Sequence, residues 1–267
     1  MQRLRSPWLL GGIGLIAMAA WLQSIHPSFF SSGSSDSEVT LTGKALEGTT
    51  IAISDVQGQP LTLTIAEVEL DPTDPEQEVY LYTLLYQDST SSQWQHFCPP
   101  DREGSVQAIP LSGQWDAAGN HIDNGEITFA CSNSILTKCV RLGYKPWKVV
   151  NGQSLRDYHQ ACTRMMRADY CGNGISHTQE GTPIDVYDRL GIQQPDSDSG
   201  MAFEAAWSPE GAVWLSRTRY PEAIAQLQQE CPEKLQAILH SADESAIASD
   251  VELYGSEALI VNRSFLR

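Results

Sequence analysis

Cys162-Thr163-Arg164-Met165-Met166-Arg167-Ala168-Asp169-Tyr170-Cys171-Gly172-Asn173-Gly174 reads as the end of a helix running into a tight turn. Upstream, Ser154-Leu155-Arg156-Asp157 has the form of a capping box. Leu155, Tyr158, Cys162, Met165 and Met166 then recur at helical spacing, with Arg156, Gln160, Thr163, Arg164 and Arg167 expected to face away from the core. Gly172 and Gly174 stop the helix, because glycine enters the left-handed conformations of a helix end without a Cβ clash. Cys162 thus points inward, and Cys171 falls in or just after the last turn. Arg164 and Arg167 suit the negative end of the helix dipole. A helix with one cysteine in its apolar stripe and another at its exit is a segment that disulfides can pin, so its flanks decide the fold class.

Toward the N-terminus the period changes from helical to two. Val39-Thr-Leu41-Thr, Thr50-Ile51-Ala-Ile53 and Leu61-Thr-Leu63-Thr-Ile65-Ala-Glu-Val68-Glu-Leu70 alternate apolar and polar residues, and Gln57-Gly58-Gln59-Pro60 is a turn between two such strands. Val79 to Tyr86 is a further strand after an acidic stretch, Asp71 to Glu78, expected to be a solvated loop. Val106 to Leu111 and Ile127 to Ala130 continue the strand-like pattern between Gly-, Asn- and Asp-rich turns. Trp94, Trp115, Tyr144 and Trp147 are expected to pack in the interior. Toward the C-terminus a second helical stretch opens at Pro221 and carries Ile224, Leu227, Cys231, Leu235, Ile238 and Leu239, with Pro232 kinking or restarting it; Ala258 to Val261 looks like a last strand. The fold class is therefore α+β: an N-terminal antiparallel β domain followed by a disulfide-rich part with hairpins and two helices.

The organisation follows from composition. Residues 1–30 hold Arg3 and Arg5 and then Trp8 to Leu22 without a charge, which fits a secretory signal or an uncleaved N-terminal membrane anchor. Ala17-Met18-Ala19 offers a small-residue cleavage site. A Ser/Gly tether fills 31–38, a β-rich domain 39–97, a cysteine-rich region 98–219, and a C-terminal helix and strand 220–267. Six cysteines behind an export signal, Cys98, Cys131, Cys139, Cys162, Cys171 and Cys231, imply disulfides, and six allow fifteen pairings. The expected location is extracytoplasmic: periplasmic, secreted, or held at the inner membrane by the N-terminal segment.

Charge narrows the partners. The formal net charge is -16, and no Asp or Glu precedes Asp36, so the acidity belongs to the exported part. Such a field repels phosphate backbones and anionic head groups, which excludes nucleic acid as the main partner and leaves solubility, an envelope protein, or a cationic ligand. No CxxC, HExxH or GxSxG pattern occurs, and neither a metal nor a cofactor is implied. Asp196-Ser-Asp198-Ser-Gly200 echoes part of a calcium loop but lacks a third acidic position before its Gly and a Glu at the loop's end, and is expected to be a solvated linker.

Ala168-Asp169-Tyr170-Cys171, with Phe129-Ala130-Cys131, Lys138-Cys139 and Gly143-Tyr144-Lys145-Pro146-Trp147 upstream and Gly181-Thr182-Pro183-Ile184-Asp185-Val186-Tyr187-Asp188 downstream, resembles the ADYC domain family of exported bacterial proteins over about Cys98 to Arg219. The resemblance implies an extracytoplasmic, cysteine-stabilised domain and no particular activity. The tetrapeptide itself makes sense as a helix exit. The sharper reading gathers Asp169, His177, Asp185 and Asp188, since carboxylates beside a histidine are the minimum for general-base chemistry. His159 is expected to be a packed or capping residue. The sequence favours a binding or structural module of the envelope, with a hydrolase or metal-assisted enzyme built on Asp169, His177 and Asp185 as the alternative.

Overall fold

The computed structural model describes residues 24–25, 43–54, 60–87, 93–240 and 251–267. The expected signal or anchor and the Ser/Gly tether lie outside these residues, apart from Ser24 and Ile25. Among the described residues no helix is long and apolar enough to cross a membrane.

The first layer is an antiparallel sheet built from β1 (Ser24–Ile25), β2 (Thr50–Ser54), β3 (Pro60–Leu70), β4 (Tyr80–Gln87), β5 (Trp94–His96), β6 (Gln107–Trp115) and β7 (His121–Cys131). Its order is β1-β7-β6-β4-β3-β2, with β5 also paired to β4. The apolar rhythm of β3 shifts phase after Ile65, from Leu63 and Ile65 to Val68. A bulge between Ile65 and Glu67 absorbs the extra residue, so all three side chains still point inward and are wholly buried. Because β6 pairs with β4, this sheet runs past residue 97, where the sequence reading ended the β-rich part. Trp115 and Tyr144 are buried as expected, whereas Trp94 and Trp147 are about half exposed, at 57% and 48%.

The second layer is a smaller antiparallel sheet, β10-β13-β11-β12, from β10 (Ile184–Asp188), β11 (Ala202–Ser208), β12 (Gly211–Leu215) and β13 (Ile260–Ser264). Between the layers run α1 (Ile135–Arg141) and α2 (Leu155–Arg167), the latter entered through a two-strand ribbon of β8 (Val149–Val150) and β9 (Gln153–Ser154). Two further helices, α3 (Ala223–Glu230) and α4 (Pro232–Ile238), meet at Pro232, which restarts the second helical stretch. Antiparallel sheets and helices make the fold α+β. The short helix α1 is absent from the sequence reading because its seven residues hold too little periodicity to separate it from a strand.

The largest cluster of buried side chains joins α2 to the second sheet, through Tyr158, Cys162, Met165 and Tyr170 against Trp207, Ala212, Leu215 and Ile260. The polar face of α2 does not look at water: Gln160, Thr163 and Arg164 are buried, against the expectation that they face outward. Their side of the helix lies under the β6–β7 turn, where Gln160 and Arg164 find partners, while the Thr163 hydroxyl donates back to the Gln160 carbonyl of its own helix at 2.7 Å. Gln160 accepts from the Trp115 indole N–H at 3.1 Å and donates to the Gly119 carbonyl at 2.7 Å. The acidic stretch Asp71 to Glu78 also departs from the solvated loop expected of it. Asp71 and Asp74 are buried, Arg141 reaches Asp71 at 2.9 Å, and Lys145 reaches Asp74, Glu76 and Glu78 at 2.7, 2.6 and 2.9 Å. Residues some seventy positions later in the chain supply those cations, which no local pattern could reveal.

Candidate functional site

α2 ends at Ala168, whose backbone is left-handed with φ 52° and ψ 43°. The next carboxylate, Asp169, turns back to Arg164 at 2.6 Å and accepts from the backbone N–H groups of Asn173 and Gly174 at 3.1 and 2.9 Å. Arg164 is itself a hub. Its guanidinium donates to the carbonyls of Pro209 and Ala118 and to Asn120 as well as to Asp169, so one side chain staples α2 to the turns of both hairpins. Tyr170 stacks on Trp207 with ring centroids 5.2 Å apart. Its hydroxyl donates to Glu204 at 3.0 Å and accepts from the Arg219 backbone N–H at 2.7 Å, while the Arg219 guanidinium grips Glu204 through two nitrogens at 3.0 and 3.1 Å. Burial, with Glu204 alongside, pushes the Tyr170 phenol well above its ordinary range, so it stays a donor. Cys171 is bonded to Cys231.

Gly172 lies in the same turn with φ +71°, and a Cβ there would stand 1.8 Å from the Glu210 carbonyl oxygen. Two turns are therefore pressed backbone to backbone, and Ala212 N–H donates to the Tyr170 carbonyl at 3.1 Å to close the contact. Within the tetrapeptide, Ala168 and Asp169 shape the turn itself, Tyr170 holds the exit against the second sheet, and Cys171 ties it to Cys231.

The four candidate catalytic residues are buried but employed separately. His177 contacts the Ala168 carbonyl through Nδ1 at 3.2 Å and Glu230 through Nε2 at 3.3 Å. Asp185 faces Arg263 at 3.6 Å across the β10–β13 pair and accepts from the Asp196 N–H. Asp188 accepts from the Tyr144 hydroxyl and from the N–H groups of Leu190, Ile192 and Gln193. Asp169 serves Arg164 and the turn. Each carboxylate is matched with different partners. Among the described residues no group of three or more His, Cys, Asp or Glu side chains is placed to hold a metal ion.

What the fold does leave open is a groove of about 630 Å³ between the two layers. One wall is the first sheet, with Trp115, Phe129 and Phe97; the second is α1 and α2, with Ile135, Lys138, Met166 and Arg167; the third is the segment 176–182 leading into Ile184 of β10. The tetrapeptide and its neighbours hold this third wall in place. Asp169 fixes the turn at 173–174, the Arg167 carbonyl accepts from His177 N–H and the Ser176 hydroxyl, and Arg219 holds Thr178 at 2.9 Å. Sequence reasoning missed the groove because its lining comes from at least four separate segments. The adjacency of Lys138 to Cys139 was the available signal, and it says nothing of what lies opposite.

No curated protein and no solved structure matches the chain. The family profile of the ADYC domain matches residues 43–221. The match starts well before Cys98, at the first strands, in keeping with a first sheet that runs unbroken from β2 into β7. With more than half of its 267 residues inside that match and the tetrapeptide locked into the helix exit, the chain belongs to the ADYC domain family.

Proposed function

We propose that this protein is an extracytoplasmic, disulfide-stabilised binding module whose ligand site is the groove between the two sheets. The observation that carries the reading is the groove itself: an apolar-walled recess of small-molecule size, framed on one side by the segment that the family tetrapeptide holds in place. The hydrolase alternative is weaker, because Asp169 and His177 each spend their hydrogen bonds on Arg164, the turn and Glu230. A general base needs a lone pair aimed at a substrate proton. Three disulfides support an oxidising compartment, as does the N-terminal signal-like segment.

The neutral dye Nile red tests the site. Its fluorescence is expected to rise on the folded protein and to fall back in Met166→Trp, which fills the groove from the half-buried face of α2. Equal fluorescence in wild type and a normally melting Met166→Trp would remove the groove as the site. A C-terminal reporter active only in an oxidising compartment tests the location; activity of a cytoplasm-only reporter there would overturn it.

A further inference from the structure

The chain is acidic overall, yet the groove carries the opposite sign. Its lining includes four cations, Lys138, Arg164, Arg167 and Arg219, against a single carboxylate, Glu180. Arg164 is neutralised by Asp169 and Arg219 by Glu204, both behind the surface, and Glu180 pairs with Arg102 at 3.2 Å. Lys138 and Arg167 remain. The Lys138 side chain makes no hydrogen bond or ion pair among the described residues, while Arg141, Lys145, Lys148 and Arg156 on neighbouring elements are all tied to carboxylates. Arg167 is half-buried and donates to a backbone carbonyl, that of Gly174. Burial holds its guanidinium below the usual arginine range, with the nearby Asp169 charge already committed to Arg164. A cation drawn out of water without a counter-ion is unfavourable, and an incoming anion relieves it.

We propose that the groove binds an anionic amphiphile, a small molecule with an apolar body and a carboxylate-type head group, the head lying at Lys138 and Arg167 and the body along Phe129, Met166 and Ile184. This ligand class rests on the groove being the binding site. It reverses the expectation drawn from net charge, because a local pair of unpaired cations in a low-dielectric recess outweighs a diffuse field that solvent screens over about 8–10 Å. The volume suits one small molecule rather than a folded partner.

Calorimetric titration with dodecanoate, dodecan-1-ol and dodecylammonium, each below its aggregation limit, separates the possibilities. Dodecanoate is expected to bind most tightly to wild type. Lys138→Glu should weaken it about tenfold or more, as loss of a charge-assisted hydrogen bond does, and Lys138→Arg should retain it. Binding of the alcohol should be indifferent to both variants. The Lys138 side chain makes no structural bonds among the described residues, and its backbone bonds survive substitution, so its variants are expected to melt like wild type. Equal affinity for alcohol and carboxylate, unmoved by Lys138→Glu, would overturn the anionic ligand while leaving the groove as a site. A preference for dodecylammonium would overturn it too. If none of the three binds and Nile red is also silent, the groove reading itself fails.

Discussion

Arg164 is 1% exposed and depends on Asp169 for its charge partner, so the pair must be judged together. Treating Asp169 as a simple turn ligand would put the loss from Asp169→Asn near 1 kcal/mol, the worth of one ordinary hydrogen bond. With the guanidinium left buried and uncompensated, the expected loss is about 3 to 5 kcal/mol, read by urea denaturation. A loss under about 1 kcal/mol would return Asp169 to the role of a turn ligand. Gly172→Ala is a second test at this scale. Both the positive φ and the Glu210 backbone oppose a side chain there, and backbone cannot swing aside as a lysine tip can. By contrast Gly152→Ala, equally left-handed but with open space around it, should destabilise by about 1 kcal/mol and serve as the control.

Two elements carry groups whose protonation links folding to pH. His159 on α2 is buried against α1, with Nε2 3.1 Å from the Leu136 carbonyl, and burial lowers its pKa to about 4. The native state thus keeps it neutral while the unfolded chain takes up a proton below about 6.5. Its contribution is complete above that pH and is lost as pH falls toward 4, by about 3 kcal/mol in all. Asp74, in the loop before β4, acts lower. Burial by itself would raise its pKa, but hydrogen bonds from Lys145 and from the N–H groups of Glu78, Val79 and Glu76 prevail and hold it at about 2. Its stabilisation, about 2 kcal/mol, is present above the unfolded carboxylate pKa near 4 and disappears between there and 2. Denaturation midpoints between pH 8 and 2 should therefore fall in two stages. His159→Gln is expected to flatten the first stage and Lys145→Met to weaken the second; a first stage unchanged in His159→Gln would assign it elsewhere.

Over the whole molecule the three disulfides divide the labour. Cys98–Cys131 ties the segment after β5 to the end of β7, Cys139–Cys162 ties α1 to α2, and Cys171–Cys231 ties the helix exit to the α3–α4 junction. Their sequence separations are 33, 23 and 60 residues. Closing a longer loop removes more unfolded-state entropy, so replacing Cys171 and Cys231 together by serine should destabilise most, by about 4 kcal/mol, and replacing Cys139 and Cys162 least. Thermal melts of the three double variants give the order. A Cys171/Cys231 variant that melts like wild type would show that the Tyr170 and Asp169 contacts hold the exit without the bridge.

Period-two alternation in Leu61 to Leu70, helical spacing from Leu155 to Met166 and the Pro221 and Pro232 breaks are local signals, and local sterics and hydrophobic patterning suffice to read α+β from them. The tetrapeptide is local too, so family membership could be recognised from the chain alone. What Asp169, Tyr170 and Arg164 do was not legible there. Asp169 bonds to its own turn and to Arg164 nearby, but the other partners of Arg164 and those of Tyr170, namely Asn120, the hairpin turns, Glu204 and Arg219, come from strands and loops tens of residues away. A polar residue on a helix reads as solvent-facing until a second layer covers it, and covering is decided by packing, not by sequence spacing. The same holds for the groove. Residue types along the chain set a net charge of -16, but only the tertiary structure decided which cations would be matched and which two would be left unpaired in one recess.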